Sequence, residues 1–193
     1  MESATPPEPG RIGRREVHSG RIVRLSVDTV RFPDGSVGEL ELVRHRGASC
    51  VVPFLDAPGT VTDPRIVMLR QYRYAAGGEM WEVPAGMPAF DGEDWEVCAR
   101  RELEEETGYV AGQLRYLTRI HTTPGFTDEV IRLYAAWDLS DGRTERDSDE
   151  FMEVVSLPWS RVESLIREGA VTDAKTLVSL LFVGRFLLGG QGG

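Results

Sequence analysis

GMPAFDGEDWEVCARRELEEETGYV, residues 86–110, joins a loop rich in glycine and proline to a run of acidic residues. Asp91 or Gly92 can cap the start of a helix here. Gly108 can supply the left-handed residue that ends it. The apolar residues between these points follow helical spacing: Trp95, Cys98, Ala99 and Leu103. The pattern therefore predicts an amphipathic helix with one apolar and one acidic side.

Three glutamates of this helix would project from one face, because Glu102, Glu105 and Glu106 stand at i, i+3 and i+4. Like charges on one face repel each other unless water solvates them or a hard divalent cation bridges them. An acidic run is usually only the solvated side of a surface helix. The context here favours a metal site, because a strand-like EMWEV and a Pro-Ala-Gly loop precede the acidic turn.

This arrangement resembles the box of the Nudix hydrolases, which is a glycine, five residues, a glutamate, seven residues and then Arg-Glu-hydrophobic-x-Glu-Glu-x-Gly-hydrophobic. The matching positions in this chain are Gly86, Glu93, Arg101, Glu102, Leu103, Glu105, Glu106, Gly108 and Tyr109. Six residues rather than five separate Gly86 from Glu93. We therefore expect a one-residue expansion of the loop before the helix, which should leave the acidic face undisturbed.

The remaining segments alternate between strand-like and helix-like patterns, which favours an α/β fold. The resemblance implies a Nudix-type α/β/α sandwich over residues 50–189. Alternation in RIVRLSVDTVRF and GELELVRH predicts an additional antiparallel β unit over residues 13–49. Residues 1–12 are polar and proline-rich, so we expect a disordered tail. In ADP-ribose pyrophosphatases an N-terminal sheet commonly builds a homodimer, and the resemblance implies a homodimer here.

Composition narrows the class of partner and the compartment. A net charge of −9 and a pI near 4.9 argue against a general binder of nucleic acid or of anionic membranes. Cys50 and Cys98 are interpreted as small buried hydrophobic residues rather than a disulfide, which fits a reducing cytoplasm. The N-terminal stretch has no apolar core segment, and LVSLLFVGRFLL is too short to span a bilayer. We expect a cytoplasmic protein.

The resemblance implies Mg²⁺ or Mn²⁺ as the cofactor. Glu102 and Glu106 are the leading predicted ligands, and Glu105 is either a third ligand or a structural carboxylate. The backbone carbonyl of Ala85 is expected to join them, because the box loop of the family folds back over the metal. These ligands would all be hard oxygen atoms, which suits the cation.

The predicted catalytic residues are Arg101, Glu105 and Glu150. Arg101 can pair with Glu93 and so orient the loop against the helix. In ADP-ribose pyrophosphatases a glutamate just before an EFxEV strand acts as the base or as a further metal ligand, which points to Glu150. Asp147 and Asp149 are alternatives in the same acidic run, and an ordinary solvated loop is the simpler interpretation.

Two further segments resemble those of ADP-ribose pyrophosphatases: Gln71-Tyr72-Arg73 before GGEMWEVPAG, and the PGF loop at residues 124–126. Arginine can offer a planar fork to a diphosphate, and Phe126 could line a ribose or base pocket. The predicted substrate-binding residues are Arg46, Arg73, Pro124, Gly125 and Phe126. Arg46 is the candidate for a contact from a partner subunit, and a simple turn is an equal alternative for Pro124 and Gly125.

The function predicted from these features is Mg²⁺-dependent hydrolysis of the diphosphate bond of ADP-ribose or related ADP-sugars, which would yield AMP and a sugar phosphate. One alternative is a hydrolase of GDP-mannose or another nucleoside diphosphate sugar. A different class is a Nudix-fold sensor that binds ADP-ribose without cleaving it. Such sensors typically lose the box glutamates or add a DNA-binding domain, and the sequence shows neither sign.

Overall fold

A computed structural model describes residues 8–144 and 151–189 of the 193-residue chain. The strands in these ranges are β1 Gly10–Ser19, β2 Arg24–Arg31, β3 Val37–Arg44, β4 Ala48–Pro53, β5 Arg65–Arg73, β6 Gly78–Glu82, β7 Ala85–Gly86, β8 Tyr109–His121, β9 Val130–Asp141 and β10 Met152–Pro158. The helices are α1 Trp95–Thr107, α2 Trp159–Arg167 and α3 Ala174–Val183, with a 3₁₀ turn at Tyr74–Ala76 and a π turn at Gly184–Leu188.

The chain divides into two compact units. The first contains the chain up to Gly47 together with His121–Glu129, and the second contains Ala48–Ile120 and the chain from Val130 onward. The sequence predicted this boundary two residues later and without the second segment. Ala48 begins the buried strand β4, which explains the earlier boundary. The backbone N–H of Val43 donates to the carbonyl of Phe126 over 2.8 Å, which ties the second segment to the end of β3.

The first unit is an antiparallel sheet in the order β1-β2-β3. In the turn between β2 and β3, Gly35 has a φ of 84° and the side chain of Asp34 accepts from the backbone N–H of Ser36. The prediction of a disordered tail over residues 1–12 is wrong at its end, because Gly10 already pairs with Arg31. Backbone pairing with β2 overrides the polar composition there. Residues 1–7 lie outside the described ranges.

The second unit contains two sheets, one in the order β7-β4-β9-β8 and the other in the order β10-β5-β6. Strand β4 is parallel to β9 and antiparallel to β7. Side chains alternate across β4, so Val51 packs with Ala99 and Leu103 of α1. Cys50 and Val52 pack in the opposite cluster, which includes residues of β5, α2 and α3. The predicted layered α/β architecture is confirmed.

Helix α1 begins and ends at defined caps. The side chain of Asp94 accepts from the backbone N–H groups of Glu96 and Val97 at 2.9 and 3.3 Å, so Asp94 is the N-cap rather than Asp91 or Gly92. Gly108 adopts a φ of 76° and donates its N–H to the carbonyl of Glu104, as predicted. The helix therefore starts two to three residues later than the sequence predicted.

No helix within the described residues is long and apolar enough to cross a membrane.

Candidate active site

Two glutamates of α1 turn their carboxylates toward the short strand β7. Glu102 and Glu106 stand one turn apart and are only 8% and 3% exposed. The backbone N–H of Ala85 donates to Oε2 of Glu106 over 3.0 Å. A Cβ atom added at Gly86 would lie 2.2 Å from the carboxyl carbon of Glu102. A side chain at position 86 would therefore displace the carboxylate of Glu102 from this place.

Arg101 joins the helix to the box loop. Its guanidinium donates to both carboxylate oxygens of Glu93 at 3.2 Å and to the carbonyl of Met87 at 2.9 Å. It also contacts Glu102 and Glu105, each at 2.7 Å. Burial lowers the pKa of Arg101, but the hydrogen bond to Glu93 and the charge of Glu102 outweigh it and raise that pKa. Arg101 is thus a permanent cation that neutralises part of the acidic face.

Glu93 is a buried carboxylate that joins the box loop to Arg101 of α1. Its Oε2 accepts from the backbone N–H of Ala89 over 2.7 Å, in addition to the contacts with Arg101. The hydrogen bond from Arg101 lowers the pKa of Glu93, although burial raises it. The predicted pairing of Arg101 with Glu93 is therefore present, and it closes the expanded loop onto the helix.

The carboxylates fit a divalent cation in their donor chemistry. Glu102 and Glu106 provide hard oxygen atoms, and Gly86 removes the side chain that would otherwise fill the space beside Glu102. Glu105 pairs with Arg101 and is more exposed than Glu102 or Glu106. Within residues 8–144 and 151–189, no group of three or more His, Cys, Asp or Glu side chains is already gathered as a metal site. Direct ligation by all three glutamates therefore stays a prediction, as does ligation by the Ala85 carbonyl.

Arg73, which the sequence predicted as a phosphate-binding residue, forms an ion pair with Glu82 in β6. Its Nε and Nη2 atoms donate to the two carboxylate oxygens of Glu82 at 2.7 and 2.9 Å. Lys175 of α3 donates to the same carboxylate over 2.6 Å. Glu82 is 2% exposed, and this burial raises its pKa, but the hydrogen bonds and charges of Arg73 and Lys175 together outweigh burial and lower that pKa.

Sequence reasoning missed Glu82 and Lys175. Two features of the sequence could have indicated them. Glu82 comes three residues before Ala85, and Lys175 is the single lysine in the chain. Neither signal identifies the other residue as its partner. The two lie 93 positions apart.

Four of the predicted substrate-binding residues lie in the first unit: Arg46, Pro124, Gly125 and Phe126. All four are exposed. The loop is a turn in which the backbone N–H groups of Phe126 and Thr127 both donate to the carbonyl of Thr123 at 3.1 Å. The turn predicted for this segment is present, and its contact with substrate stays a prediction.

Glu150, Asp147 and Asp149 lie outside the described residues. The chain that leads toward them is tied to the end of α1. The backbone N–H of Gly142 donates to the carbonyl of Gly108 over 2.7 Å. The N–H of Arg143 donates to Oε1 of Glu104 over 3.3 Å. The acidic run therefore follows a segment that is anchored to the box helix.

Comparison with known proteins identifies the family of the chain. The family model described as the NUDIX domain matches residues 44–181. The chain belongs to the Nudix family. A methanol dehydrogenase activator of Bacillus methanolicus is 38% identical over 174 residues, which cover 89% of this chain and 90% of that protein. An ADP-ribose pyrophosphatase of Bacillus subtilis (strain 168) is 35% identical over the same shares of the two chains.

The fold has an independent match among solved structures. A crystal structure of an ADP compounds hydrolase superposes with a TM-score of 0.80 at 23% identity and covers 98% of this chain and 99% of its own. The predicted Nudix hydrolase family and its fold are confirmed. Proteins of this family generally use divalent metal ions.

Proposed function

We propose that this Nudix protein hydrolyses the diphosphate bond of ADP-ribose and related ADP-sugars to AMP and a sugar phosphate, with Mg²⁺ or Mn²⁺ as its cofactor. The observation that carries the proposal is the fit between β7 and α1, where Gly86 leaves space for the carboxylate of Glu102 and Ala85 binds Glu106. The similarity to an ADP-ribose pyrophosphatase over 89% of the chain supports the substrate class.

In this proposal Glu102 and Glu106 hold the cation, with Glu105 and the carbonyl of Ala85 as further ligands. The bound cation would neutralise charge on the diphosphate and lower the pKa of a water molecule. Arg101 keeps the carboxylates from repelling one another and holds the box loop closed through Glu93. The carboxylate of Glu150, or that of Asp147 or Asp149, would accept the proton of the attacking water.

The remaining side chains would bind the substrate. Arg73 is 41% exposed on its side chain, and among the described residues its Nη1 atom has no hydrogen-bond partner. That atom is available to a phosphate oxygen. Arg46, Pro124, Gly125 and Phe126 would contact the nucleoside or the second sugar, and Arg46 would do so across a homodimer. We place this activity in the cytoplasm.

The test of substrate is turnover by the purified chain, with Mg²⁺ or Mn²⁺, of a panel that contains ADP-ribose, other ADP-sugars, GDP-mannose and UDP-glucose. We expect ADP-ribose to give the highest kcat/KM and equal amounts of AMP and ribose 5-phosphate. Reaction in ¹⁸O-labelled water then shows which phosphorus water attacks, because the label appears in only one product. A higher kcat/KM for GDP-mannose would replace ADP-ribose as the proposed substrate.

The test of catalysis against sensing is the variant Glu106→Gln. An amide oxygen can still accept the hydrogen bond from Ala85 but has no charge for a cation, so we expect hydrolysis to be lost while the fold remains. The matched control is Glu96→Gln, because Glu96 lies on the same helix in an exposed pair with Arg100. If the wild-type protein binds ADP-ribose but does not hydrolyse it with any of the metals tested, the alternative of a non-catalytic sensor would be favoured.

A further inference from the structure

Arg73, Glu82 and Lys175 form a row of alternating charges in the second unit. Oε1 of Glu82 accepts from Nε of Arg73, while Oε2 accepts from both Nη2 of Arg73 and Nζ of Lys175. The Lys175 side chain is 13% exposed, and Glu82 is more deeply buried. Only the arginine end of the row reaches the surface to a substantial degree. The row therefore leads from the interior to one exposed guanidinium.

The buried end of this row is fixed to the start of α3. Asp173 caps the helix by accepting from the backbone N–H of Thr176 over 3.0 Å, and the same carboxylate oxygen accepts from Lys175 over 2.9 Å. The hydroxyl of Thr176 accepts from the backbone N–H of Val83 over 3.0 Å. The helix terminus is thus joined to the residue that follows Glu82. Rotation of Lys175 or Glu82 would break several of these contacts at once.

From this geometry we infer that Lys175 and Glu82 are positioning residues that aim Arg73 at the substrate's diphosphate. The inference rests on the proposed function, because it requires Arg73 to bind that diphosphate. Two atoms of the guanidinium are held in one plane by Glu82, which orients Nη1 before the substrate arrives. Lys175 offsets the negative charge of Glu82, so that the positive charge of Arg73 is not cancelled by its own partner.

Arg73 is also within electrostatic range of the box helix. The pKa of Arg73 is raised chiefly by its hydrogen bonds to Glu82, against burial, and the negative charge of Glu106 adds to this effect. If the carboxylates of α1 hold a divalent cation, Arg73 would add a second positive charge for binding the same diphosphate. The arrangement explains why a lysine, with its compact charge, is buried at the start of α3.

The experiment is a double-mutant cycle of Lys175→Met and Arg73→Ala, read as KM and kcat for ADP-ribose. Lys175→Met keeps an unbranched side chain, one atom shorter than that of lysine, and removes its charge. We expect it to raise KM about tenfold in the wild-type background, with a change in kcat of less than about threefold. In the Arg73→Ala background the same substitution should leave KM unchanged, because the residue through which it acts is absent. Lys175→Arg keeps a positive charge but carries it on a larger planar group, so it should raise KM less than Lys175→Met does.

A purely structural role predicts a different result. Lys175→Met would then lower Tm and change the kinetics by the same factor in both backgrounds, and that result would overturn the inference. An unchanged KM in the single variant would also overturn it. The Tm of each variant is measured in parallel, so that a loss of fold is recognised directly.

Binding of ADP distinguishes failure of the proposed function from failure of the positioning role. ADP carries a diphosphate, and its binding can be measured without any hydrolysis. Calorimetric Kd values for ADP across the same cycle should show the same dependence of Lys175→Met on Arg73. If wild type cleaves no nucleoside diphosphate sugar but the cycle on ADP holds, the proposed hydrolysis is wrong and the positioning role stands. If hydrolysis occurs and neither cycle shows coupling, only the positioning role is wrong. If ADP does not bind and nothing is cleaved, both are wrong.

Discussion

The backbone N–H of Ala85 donates to the carboxylate of Glu106 over 3.0 Å, and this bond joins the box loop to the helix that carries the acidic face. The neighbouring Gly86 lies so close to the carboxylate of Glu102 that a Cβ atom there would be 2.2 Å from the carboxyl carbon. Both residues of β7 are thus matched to a buried carboxylate of α1. The two residues of β7 can therefore control the position of the proposed cation ligands.

Gly86→Ala should act through Glu102. The added Cβ would meet the carboxylate at 2.2 Å, so the glutamate must move, and we expect kcat/KM for ADP-ribose to fall about 100-fold. Gly78→Ala is the matched control, because a Cβ there meets nothing within 4 Å. The measurement is steady-state kinetics together with Tm. Equal activity in the two variants would show that the position of Glu102 does not govern catalysis.

Arg101→Met should destabilise the fold as well as the site. It leaves the buried carboxylate of Glu93 without its cation, and loss of one partner from such a pair costs about 3 kcal/mol in the free energy of unfolding. The control Arg161→Met removes an exposed pair with Glu168 and should cost less than about 1 kcal/mol. Urea denaturation measures both values. A cost for Arg101→Met no greater than that of the control would contradict the bridging role.

The stability of the protein should fall in acid, in part through Glu93. Arg101 holds the pKa of Glu93 below its ordinary value, so the ionised side chain stabilises the folded state at neutral pH. That contribution is complete above the ordinary glutamate pKa and is lost as pH falls through that value toward the lowered pKa of the folded state. Glu93→Gln should therefore show a shallower decline of unfolding free energy between about pH 5 and pH 3. Parallel slopes for the two proteins would exclude this contribution.

Neither cysteine should react in the folded protein. Burial raises the pKa of Cys50 to about 12, and burial together with the charge of Glu102 raises the pKa of Cys98 to about 11. At pH 8 the thiolate fraction of Cys98 would then be roughly one in a thousand. We expect iodoacetamide to modify neither thiol at pH 8 without urea and both in urea, as measured by mass spectrometry. Rapid alkylation of Cys98 in the folded state would show that the box loop opens readily.

The box helix could be predicted from the sequence because its signals are local. Spacing alone brings Glu102 and Glu106 onto one face, and Gly108 ends the helix with a conformation that glycine favours. The cap was harder to predict, since Asp91, Gly92 and Asp94 are all chemically suitable. In the structure the last of them caps the helix.

The contacts that complete the site are long-range, and no spacing rule contains them. Arg73 has the right chemistry for a phosphate, but its pairing with Glu82 depends on the register of β5 against β6. Lys175 reaches the same carboxylate only because α3 begins beside it. The resemblance supplied residue roles and not these partners. The charged row therefore became visible only in three dimensions.

The segment His121–Glu129 belongs with the N-terminal sheet although it lies between two strands of the second unit. Arg44 pairs with Asp128 at 2.9 Å, and the buried Asp28 also pairs with Arg44, so three distant stretches of chain share one charge network. The first unit is consequently a discontinuous module that cannot be exchanged between proteins as a single cassette. Transplanting residues 10–47 alone would separate β3 from the turn that completes it, and a successful chimera would need both pieces.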